Sequence, residues 1–576
     1  MKIQRLAIRA LNDYTRRSSF TYLALRYALE ASCVRKDRWS VQIAPEILSR
    51  EIRNSYLVNW FFKDYHRGKF IFRRIGGPGS NEALAEAALL DVCAQAGGVF
   101  APQKDVFSYR LAKKNSLDGS FQRYFDNYKR RQRAIGRCCR KHKSYIVLYA
   151  DIKNFYPSVS RSRAKRAWKV ACAQAKLPAR WVKLGECLID RQKAVSPKGL
   201  LVGPMFSHLI ADLSLREFDT AMRRKYDASY FRYVDDIAVV IPDAGQARAK
   251  RHMASLLKSA GLKLHPGKFA EMPAAEWAEK APWQGKPTVI EDRDKKWVAL
   301  IDRVKCYLIK KPEQFEALSR ALCEVELRIP LPRYQVAISD ADYVERLKRR
   351  MRSKAFIRYV SGLTRRKIVN RALRASQHYI DEFATHWSAY GELVGMEKKW
   401  HGTRVKGLLG KLTMMAPETL IPGLVRVLEG HPEFAGIRAT FKAMQTNDVS
   451  ELILFGGSIC GAAGQVLATR GKLYSCEIAR WSKAAVQGYA TLCLMGVNIG
   501  AKLPLQVSRL FEARFVHGGY RIGAWRKLEH PFARDVVAIS KEVSLEKNQE
   551  LMHSPMNPDD EWVLLSDELN MPLYSP

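Results

Sequence analysis

Two stretches of the chain have the continuous apolar pattern of buried β-strands, and both contain carboxylates. Tyr145–Ala150 is an unbroken aliphatic and aromatic run that stops at Asp151. Ser229–Ile241 is an aromatic and β-branched run that is interrupted by Asp235 and Asp236. Apolar residues on both sides of an acidic pair predict two short strands with the pair at the tight turn of a hairpin. Because burial of charge is costly, such a turn is an unfavourable place for acidic side chains without a role.

Helical periodicity dominates the rest of the chain. Residues 1–100 are predicted to be mostly helical, residues 297–308 to form strands or the start of another segment, and helices to follow from Pro312 onward. Paired helices without a fixed repeat are predicted in the last third of the chain. One helix follows the loop around Gly203, because apolar residues recur there at helical spacing: Met205, Phe206, Leu209, Ile210 and Leu213. The pattern therefore predicts an α+β protein.

The three carboxylates form a candidate metal site. If the strand that ends at Asp151 lies beside the hairpin in one antiparallel sheet, Asp151 and Asp235 meet at one edge, with Asp236 beside them. Oxygen-only ligands favour Mg²⁺ over softer metals. Two ions roughly 3.5–4 Å apart would activate a 3′-hydroxyl and stabilise a leaving pyrophosphate. The alternative interpretation is an ordinary solvated turn.

The charge of the chain indicates a polyanionic partner. Lys and Arg number 97 against 57 Asp and Glu, which gives a formal net charge of +40 and a sequence pI near 9.9. The charge is concentrated in two basic runs with interleaved aromatic residues, a combination suited to single-stranded nucleic acid. Solvated faces are the alternative explanation. The candidate nucleic-acid contacts are Arg130, Arg131, Arg133, Arg349, Arg350, Arg352, Arg365 and Arg366.

Four motifs, in order, resemble those of reverse transcriptases. Ala150–Val159 resembles the first motif, Gly199–Asp212 the second, Arg232–Ile237 the third and Gly261–Lys268 the fourth. The resemblance spans roughly residues 100–275 and implies a right-hand polymerase fold with fingers, a palm built on an antiparallel sheet, and a thumb. We expect an N-terminal helical region with the start of the fingers (1–100), fingers and palm (101–275), a thumb-like segment (276–340) and an α-helical C-terminal domain (341–576).

The resemblance assigns roles to the acidic residues and to one tyrosine. Asp151 and Asp235 would be the principal ligands of two Mg²⁺ ions, and Asp236 would support them. Tyr156 falls where the family places its steric gate, a ring under the sugar that leaves no room for a 2′-hydroxyl. A core aromatic residue is the alternative interpretation of Tyr156.

Further nucleotide contacts follow from the same resemblance. Gly203 and Ser207 would shape the floor under the template and the incoming base, since glycine permits close backbone approach. Arg110, followed by Lys114, would clamp the triphosphate, and guanidinium suits phosphate oxygens well. Lys268 would neutralise or protonate the departing pyrophosphate, with a solvated surface lysine as the equal alternative.

The second motif departs from the larger groups of the family. Group II intron and retron enzymes carry Pro-Gln-Gly, whereas this chain has Val202, Gly203 and Pro204, which resembles the abortive-infection and defence-associated enzymes. We therefore expect a bacterial, cytoplasmic, anti-phage DNA polymerase that is RNA-directed or non-templated. Its expected partners are dNTPs, template or noncoding RNA, DNA product and either a partner protein or a second copy, without a membrane. The alternatives are an intron- or retron-like enzyme and an RNA-binding scaffold that acts through assembly.

Overall fold

A computed structural model defines most of the chain. It describes residues 5–15, 17–32, 35–50, 56–66, 68–113, 119–122, 124–282, 297–331, 362–517, 536 and 543–553. None of the helices within these ranges is both long enough and apolar enough to cross a membrane.

The described residues of the N-terminal region form helices and a β-hairpin. The prediction of a mostly helical region did not include this hairpin, whose strands β1 (Leu57–His66) and β2 (Lys69–Gly77) are antiparallel. Phe62 of β1 and Phe70 of β2 both pack on Phe455, with ring centroids 4.8 and 4.9 Å away. The described helices here are α1 (Arg5–Tyr14), α2 (Ser19–Ala31), α3 (Lys36–Arg38), α4 (Ala44–Arg50) and α5 (Ser80–Gln95), with a π-helical turn at Trp39–Ile43.

The predicted antiparallel sheet is confirmed. Its order is β4-β5-β3-β6, with β3 (Ile146–Asp151), β4 (Tyr230–Tyr233), β5 (Asp236–Ile241) and β6 (Ala270–Pro273). Leu148 faces one hydrophobic core, whereas its neighbours Val147 and Tyr149 belong to another on the opposite face. Both faces of β3 are therefore buried, which explains its continuous apolar sequence.

Helices cover both faces of this sheet. The helix predicted after Gly203 is confirmed as Met205–Leu213, and all nine of its residues are buried. Ile135 of the helix before β3 and Trp277 of the helix after β6 pack on one face. The described helices of this region are α6 (Tyr124–Lys141), α7 (Phe155–Ser158), α8 (Arg161–Gln174), α9 (Ala179–Arg191), α10 (Met205–Leu213), α11 (Arg216–Tyr226), α12 (Gln246–Ser259) and α13 (Ala274–Lys280).

The described residues from 297 onward are mainly helical. Residues 297–310 form a helix rather than the strands considered above, because Leu300, Val304 and Leu308 recur every four residues and are buried. The elements are α14 (Trp297–Lys310), α15 (Phe315–Glu324), α16 (Arg365–Tyr390), α17 (Gly395–Met415), α18 (Ile421–Val427), α19 (Ala435–Thr446), α20 (Ser450–Ile453), α21 (Gly457–Thr469), β7 (Leu473–Ser475), α22 (Lys483–Leu494), β8 (Asn498–Gly500), α23 (Leu505–Ser508), α24 (Phe511–His517) and α25 (Leu545–His553).

One hydrophobic core joins the beginning and the end of the chain. Phe20 of α2 contacts Phe515 of α24 with ring centroids 5.9 Å apart. The hydroxyl of Tyr27 donates to the Oδ1 atom of Asn548 at 2.8 Å, and Asn548 is fully buried. Helix α2 therefore packs with the C-terminal helices α24 and α25.

Candidate active site

The acidic pair lies at a two-residue hairpin turn between β4 and β5. Tyr233 pairs with Asp236, which leaves Val234 and Asp235 as the turn residues. Val234 has a φ of +55°. A β-branched residue is a clear outlier in this left-handed region, where glycine is preferred. Such strain persists only where the surroundings hold the backbone, and it is concentrated at functional sites.

A buried arginine holds the strained turn. The Nη1 atom of Arg232 donates to the carbonyl oxygen of Val234 at 2.8 Å, and Nη2 donates to Asp212 and Asp219 at 2.9 and 2.6 Å. The side chain of Arg232 is completely buried, and those of the two aspartates are nearly so. The hydroxyl of Tyr230 also donates to Asp219 at 2.6 Å. This network connects the turn to helices α10 and α11.

Three carboxylates converge beside the turn. Oxygen atoms of Asp151, Asp235 and Asp236 all lie within 4.8 Å of one another. Asp151 and Asp236 are direct partners in the register of β3 and β5, and the backbone N–H of Ile152 donates to the carbonyl of Asp235 at 3.1 Å. Burial, followed by repulsion from Asp236 and Asp151, raises the pKa of Asp235 to about 7. The cluster therefore carries negative charge that a divalent cation would neutralise.

Lys268 contacts the same cluster. Its Nζ atom lies 2.9 Å from Oδ2 of Asp151, while the lysine side chain remains about half exposed. The loop that carries it is fixed by backbone hydrogen bonds from His265 to Asp151 (2.7 Å) and from Lys153 to Lys263 (2.8 Å). Lys268 is thus neither remote from the site nor an unpaired surface lysine. It partly neutralises Asp151.

Tyr156 lies close to the acidic cluster in the chain and is buried. It belongs to α7, five residues beyond Asp151, and only 7% of its surface is exposed. Its hydroxyl donates to the hydroxyl of Tyr109 at 2.9 Å and contacts the Nδ1 atom of His208. The ring is thus held by polar partners at its tip rather than by apolar packing alone.

The second motif is built against the N-terminal hairpin. Gly203 has a φ of +122°, and a Cβ atom there would lie 2.4 Å from the carbonyl oxygen of Gly76. The close approach that requires glycine is therefore to β2. Ser207 is fully buried and accepts a hydrogen bond from the Nε2 atom of Gln192 at 3.0 Å. Gly203 and Ser207 therefore fix the loop through contacts with β2 and with Gln192.

The basic residues that are predicted to contact the nucleotide or the nucleic acid differ in their solvent exposure. Arg110 is partly buried, its Nη2 atom donates to the carbonyl of Val106 at 3.2 Å, and burial followed by repulsion from Arg130 lowers its pKa. Arg131 is fully buried and stacks on Tyr149 with its guanidinium carbon 5.4 Å from the ring centroid. It supports the sheet and does not offer a surface contact. The exposed members are Arg130, Arg133, Arg365 and Arg366; Lys114, Arg349, Arg350 and Arg352 lie outside the described residues.

Several residues at this site were missed by sequence reasoning. Arg232 interrupts an otherwise apolar run, and Asp212 lies on an apolar helix, so each gave a local signal of a buried charge with a partner. Arg17 and His208 gave no such signal. Their Nη1 and Nε2 atoms lie 3.1 Å apart although 191 residues separate them.

Comparison with known proteins identifies this region. Residues 104–308 match the family described as reverse transcriptase (RNA-dependent DNA polymerase). A search of curated proteins found no match. The match contains all three clustered carboxylates, the strained turn and Tyr156. The chain therefore contains a reverse transcriptase domain at residues 104–308 and is a nucleotidyltransferase of the RNA-directed DNA polymerase type.

Proposed function

We propose that the protein adds dNTPs to a growing DNA strand by two-metal phosphoryl transfer. The observation that supports this most strongly is the convergence of Asp151, Asp235 and Asp236 within 4.8 Å at the end of a buried sheet. A scaffold that only bound RNA would gain nothing from this cluster, whose mutual repulsion destabilises the folded state without a cation.

Magnesium fits the donor set. The cluster offers only carboxylate oxygens, which hard cations prefer. Burial, followed by repulsion from Asp236 and Asp151, raises the pKa of Asp235 although the charge of Lys268 acts in the opposite direction. Asp151 and Asp235 would hold two Mg²⁺ ions, with Asp236 in support. When bound, the ions would activate the 3′-hydroxyl and neutralise the pyrophosphate. Lys268, whose Nζ atom lies 2.9 Å from Oδ2 of Asp151, would neutralise an anionic leaving group.

We further propose that the enzyme acts in bacterial anti-phage defence with an RNA or protein partner. The support is the form of the second motif, with Val202, Gly203 and Pro204 in place of Pro-Gln-Gly, and the long helical region after the polymerase domain. Exposed arginines on α6 (Arg130 and Arg133) and at the start of α16 (Arg365 and Arg366) supply positive charge for the nucleic acid.

Nucleotide addition by purified protein tests the proposal. The full chain would be offered each dNTP with Mg²⁺, alone and with an RNA template and primer, beside an Asp235→Asn, Asp236→Asn variant. We expect Mg²⁺-dependent products from the wild type and none from the variant. Products with RNA only would establish copying, and products without it would establish non-templated synthesis. No product under any condition, from folded protein together with its copurified nucleic acid, would refute the enzymatic proposal.

The pKa of Asp235 predicts how the metal-free protein responds to pH. The folded-state pKa of about 7 exceeds the ordinary aspartate pKa of 3.8, so between these values the folded state retains a proton that the unfolded state releases. The contribution of Asp235 to stability therefore falls as pH rises from about 4 to about 7, by at most about 1.4 kcal/mol per pH unit. Asp13 and Glu86, with pKa values raised by burial to about 6 and about 8, act in the same direction.

Urea unfolding without divalent cations, from pH 5 to pH 8, measures this effect. The free energy of unfolding of Asp235→Asn should exceed that of the wild type by an amount that grows with pH. Mg²⁺ should raise wild-type stability more at pH 8 than at pH 6, because the cation competes with the proton. A difference between the two proteins that is the same at every pH would contradict the assignment of the raised pKa to Asp235.

A further inference from the structure

A row of hydrogen bonds connects the N-terminal region to Tyr156. Arg17 lies between α1 and α2, and its Nη1 atom is 3.1 Å from Nε2 of His208 on α10. The Nδ1 atom of His208 is 2.5 Å from the hydroxyl of Tyr156. That hydroxyl lies 2.9 Å from the hydroxyl of Tyr109. We call Arg17, His208 and Tyr109 the Tyr156 anchor.

The chemistry of the anchor fixes the direction of each hydrogen bond. Guanidinium can only donate, so Nε2 of His208 must accept from Arg17 and carries no proton. Burial, together with the charge of Arg17, lowers the pKa of His208 well below its usual range, so the ring is neutral. A neutral ring without a proton on Nε2 carries it on Nδ1. Nδ1 therefore donates to Tyr156, whose hydroxyl is left to donate to Tyr109.

Ring packing makes the anchor rigid. His208 is 4% exposed, and it stacks on Tyr109 with ring centroids 4.3 Å apart and planes 10° apart. The ring of Tyr156 meets His208 edge-on at 5.3 Å. Tyr109 has a φ of +47°, a backbone conformation that is rare for non-glycine residues and is concentrated where a ligand binds. Tyr156 cannot change rotamer without leaving the donor of His208 unpaired in a buried place.

We propose that Arg17 and His208 are positioning residues that fix the ring of Tyr156 and thereby set the preference of the enzyme for dNTPs over rNTPs. The inference rests on the proposed polymerase function and on Tyr156 as the steric gate. Arg17 lies outside residues 104–308, so the N-terminal region completes the nucleotide site. Arg17 is exposed. Its replacement therefore removes the hydrogen-bond donor to Nε2 of His208 without opening a cavity in the core.

The experiment compares the efficiency, kcat/KM, of the best-used dNTP with that of the matching rNTP. Arg17→Met and His208→Leu release Tyr156, so we expect kcat/KM for the rNTP to rise about five- to tenfold while that for the dNTP changes less than about twofold. His208→Asn should retain selectivity within about threefold of wild type, because its amide nitrogen can replace the Nδ1 donor. Arg38→Met, at an exposed arginine that donates to Gln42, is the matched control.

The results distinguish failure of the proposed role of Arg17 and His208 from failure of the steric-gate role of Tyr156 and from failure of the proposed polymerase function. General structural damage would lower both efficiencies, whereas a released gate raises only that of the rNTP. Unchanged selectivity in Arg17→Met and His208→Leu, while Tyr156→Ala loses selectivity, would overturn the anchor and leave the gate intact. If Tyr156→Ala also keeps the wild-type preference, Tyr156 is not the gate and the inference fails with it. Absence of any nucleotide addition by the wild type would instead refute the proposed function.

Discussion

Asp235→Asn is expected to abolish nucleotide addition and to stabilise the protein. If Asp235 holds a metal ion as proposed, its loss removes several kcal/mol of charge stabilisation in the transition state, so we expect a fall of at least about 10³-fold in the rate of dNTP incorporation. The folded protein should nevertheless melt at a higher temperature at pH 8 without Mg²⁺. The reason is that burial and the charges of Asp236 and Asp151 oppose ionisation of Asp235, and an amide removes that cost.

The opposite signs of these two effects make the prediction specific. A variant that lost activity through misfolding would also lose stability. Asp243→Asn is the matched control, because Asp243 is an exposed aspartate in the turn that follows β5. It should change neither incorporation nor melting temperature appreciably. Incorporation of a labelled dNTP and thermal unfolding of the same preparations provide the two measurements. Retention of more than about a tenth of wild-type activity in Asp235→Asn would contradict its role as a principal metal ligand.

Local sequence was sufficient to predict the centre of the site. The apolar run that ends at Asp151 is buried on both faces of the sheet, and the run around Asp235 folds back on itself at a two-residue turn. Both predictions rest on residues that are neighbours in the chain, because the patterns that indicate a buried strand and a hairpin turn occur in consecutive residues. Helix α10 was predictable for the same reason, since its apolar face has helical spacing.

Contacts between distant segments could not be predicted in this way. The hairpin of β1 and β2 buries its aromatic face against Phe455, nearly four hundred residues later, and Gly203 is required by the close approach of Gly76. Arg131 has the same local sequence context as the exposed Arg130 but lies on the buried side of α6. The spacing within α14 did carry a helical signal, although its many β-branched residues also suggested strands.

Arg232→Met is expected to cause the largest loss of stability among these substitutions. The arginine is fully buried between Asp212 and Asp219, so its removal leaves two carboxylates without their cation. Breaking a buried ion pair by removing one partner costs roughly 3–5 kcal/mol. Urea unfolding should show this loss as a lower midpoint. Arg223→Met is the matched control, because Arg223 also pairs with an aspartate, Asp105, but its side chain is 45% exposed. This substitution should lower the free energy of unfolding by less than about 1 kcal/mol.

Replacement of all three charged residues distinguishes a role of Arg232 in stability from a role in holding the conformation of the turn. The triple variant Arg232→Met, Asp212→Leu, Asp219→Leu has no unpaired buried charge, so it should recover much of the stability lost in Arg232→Met. It still lacks the Nη1 donor to the carbonyl of Val234, whose φ of +55° is unfavourable for valine. We therefore expect dNTP incorporation to remain at least about tenfold below wild type, since small displacements of catalytic groups are costly. If activity returned together with stability, Arg232 would serve folding alone, and the turn would keep its conformation without it.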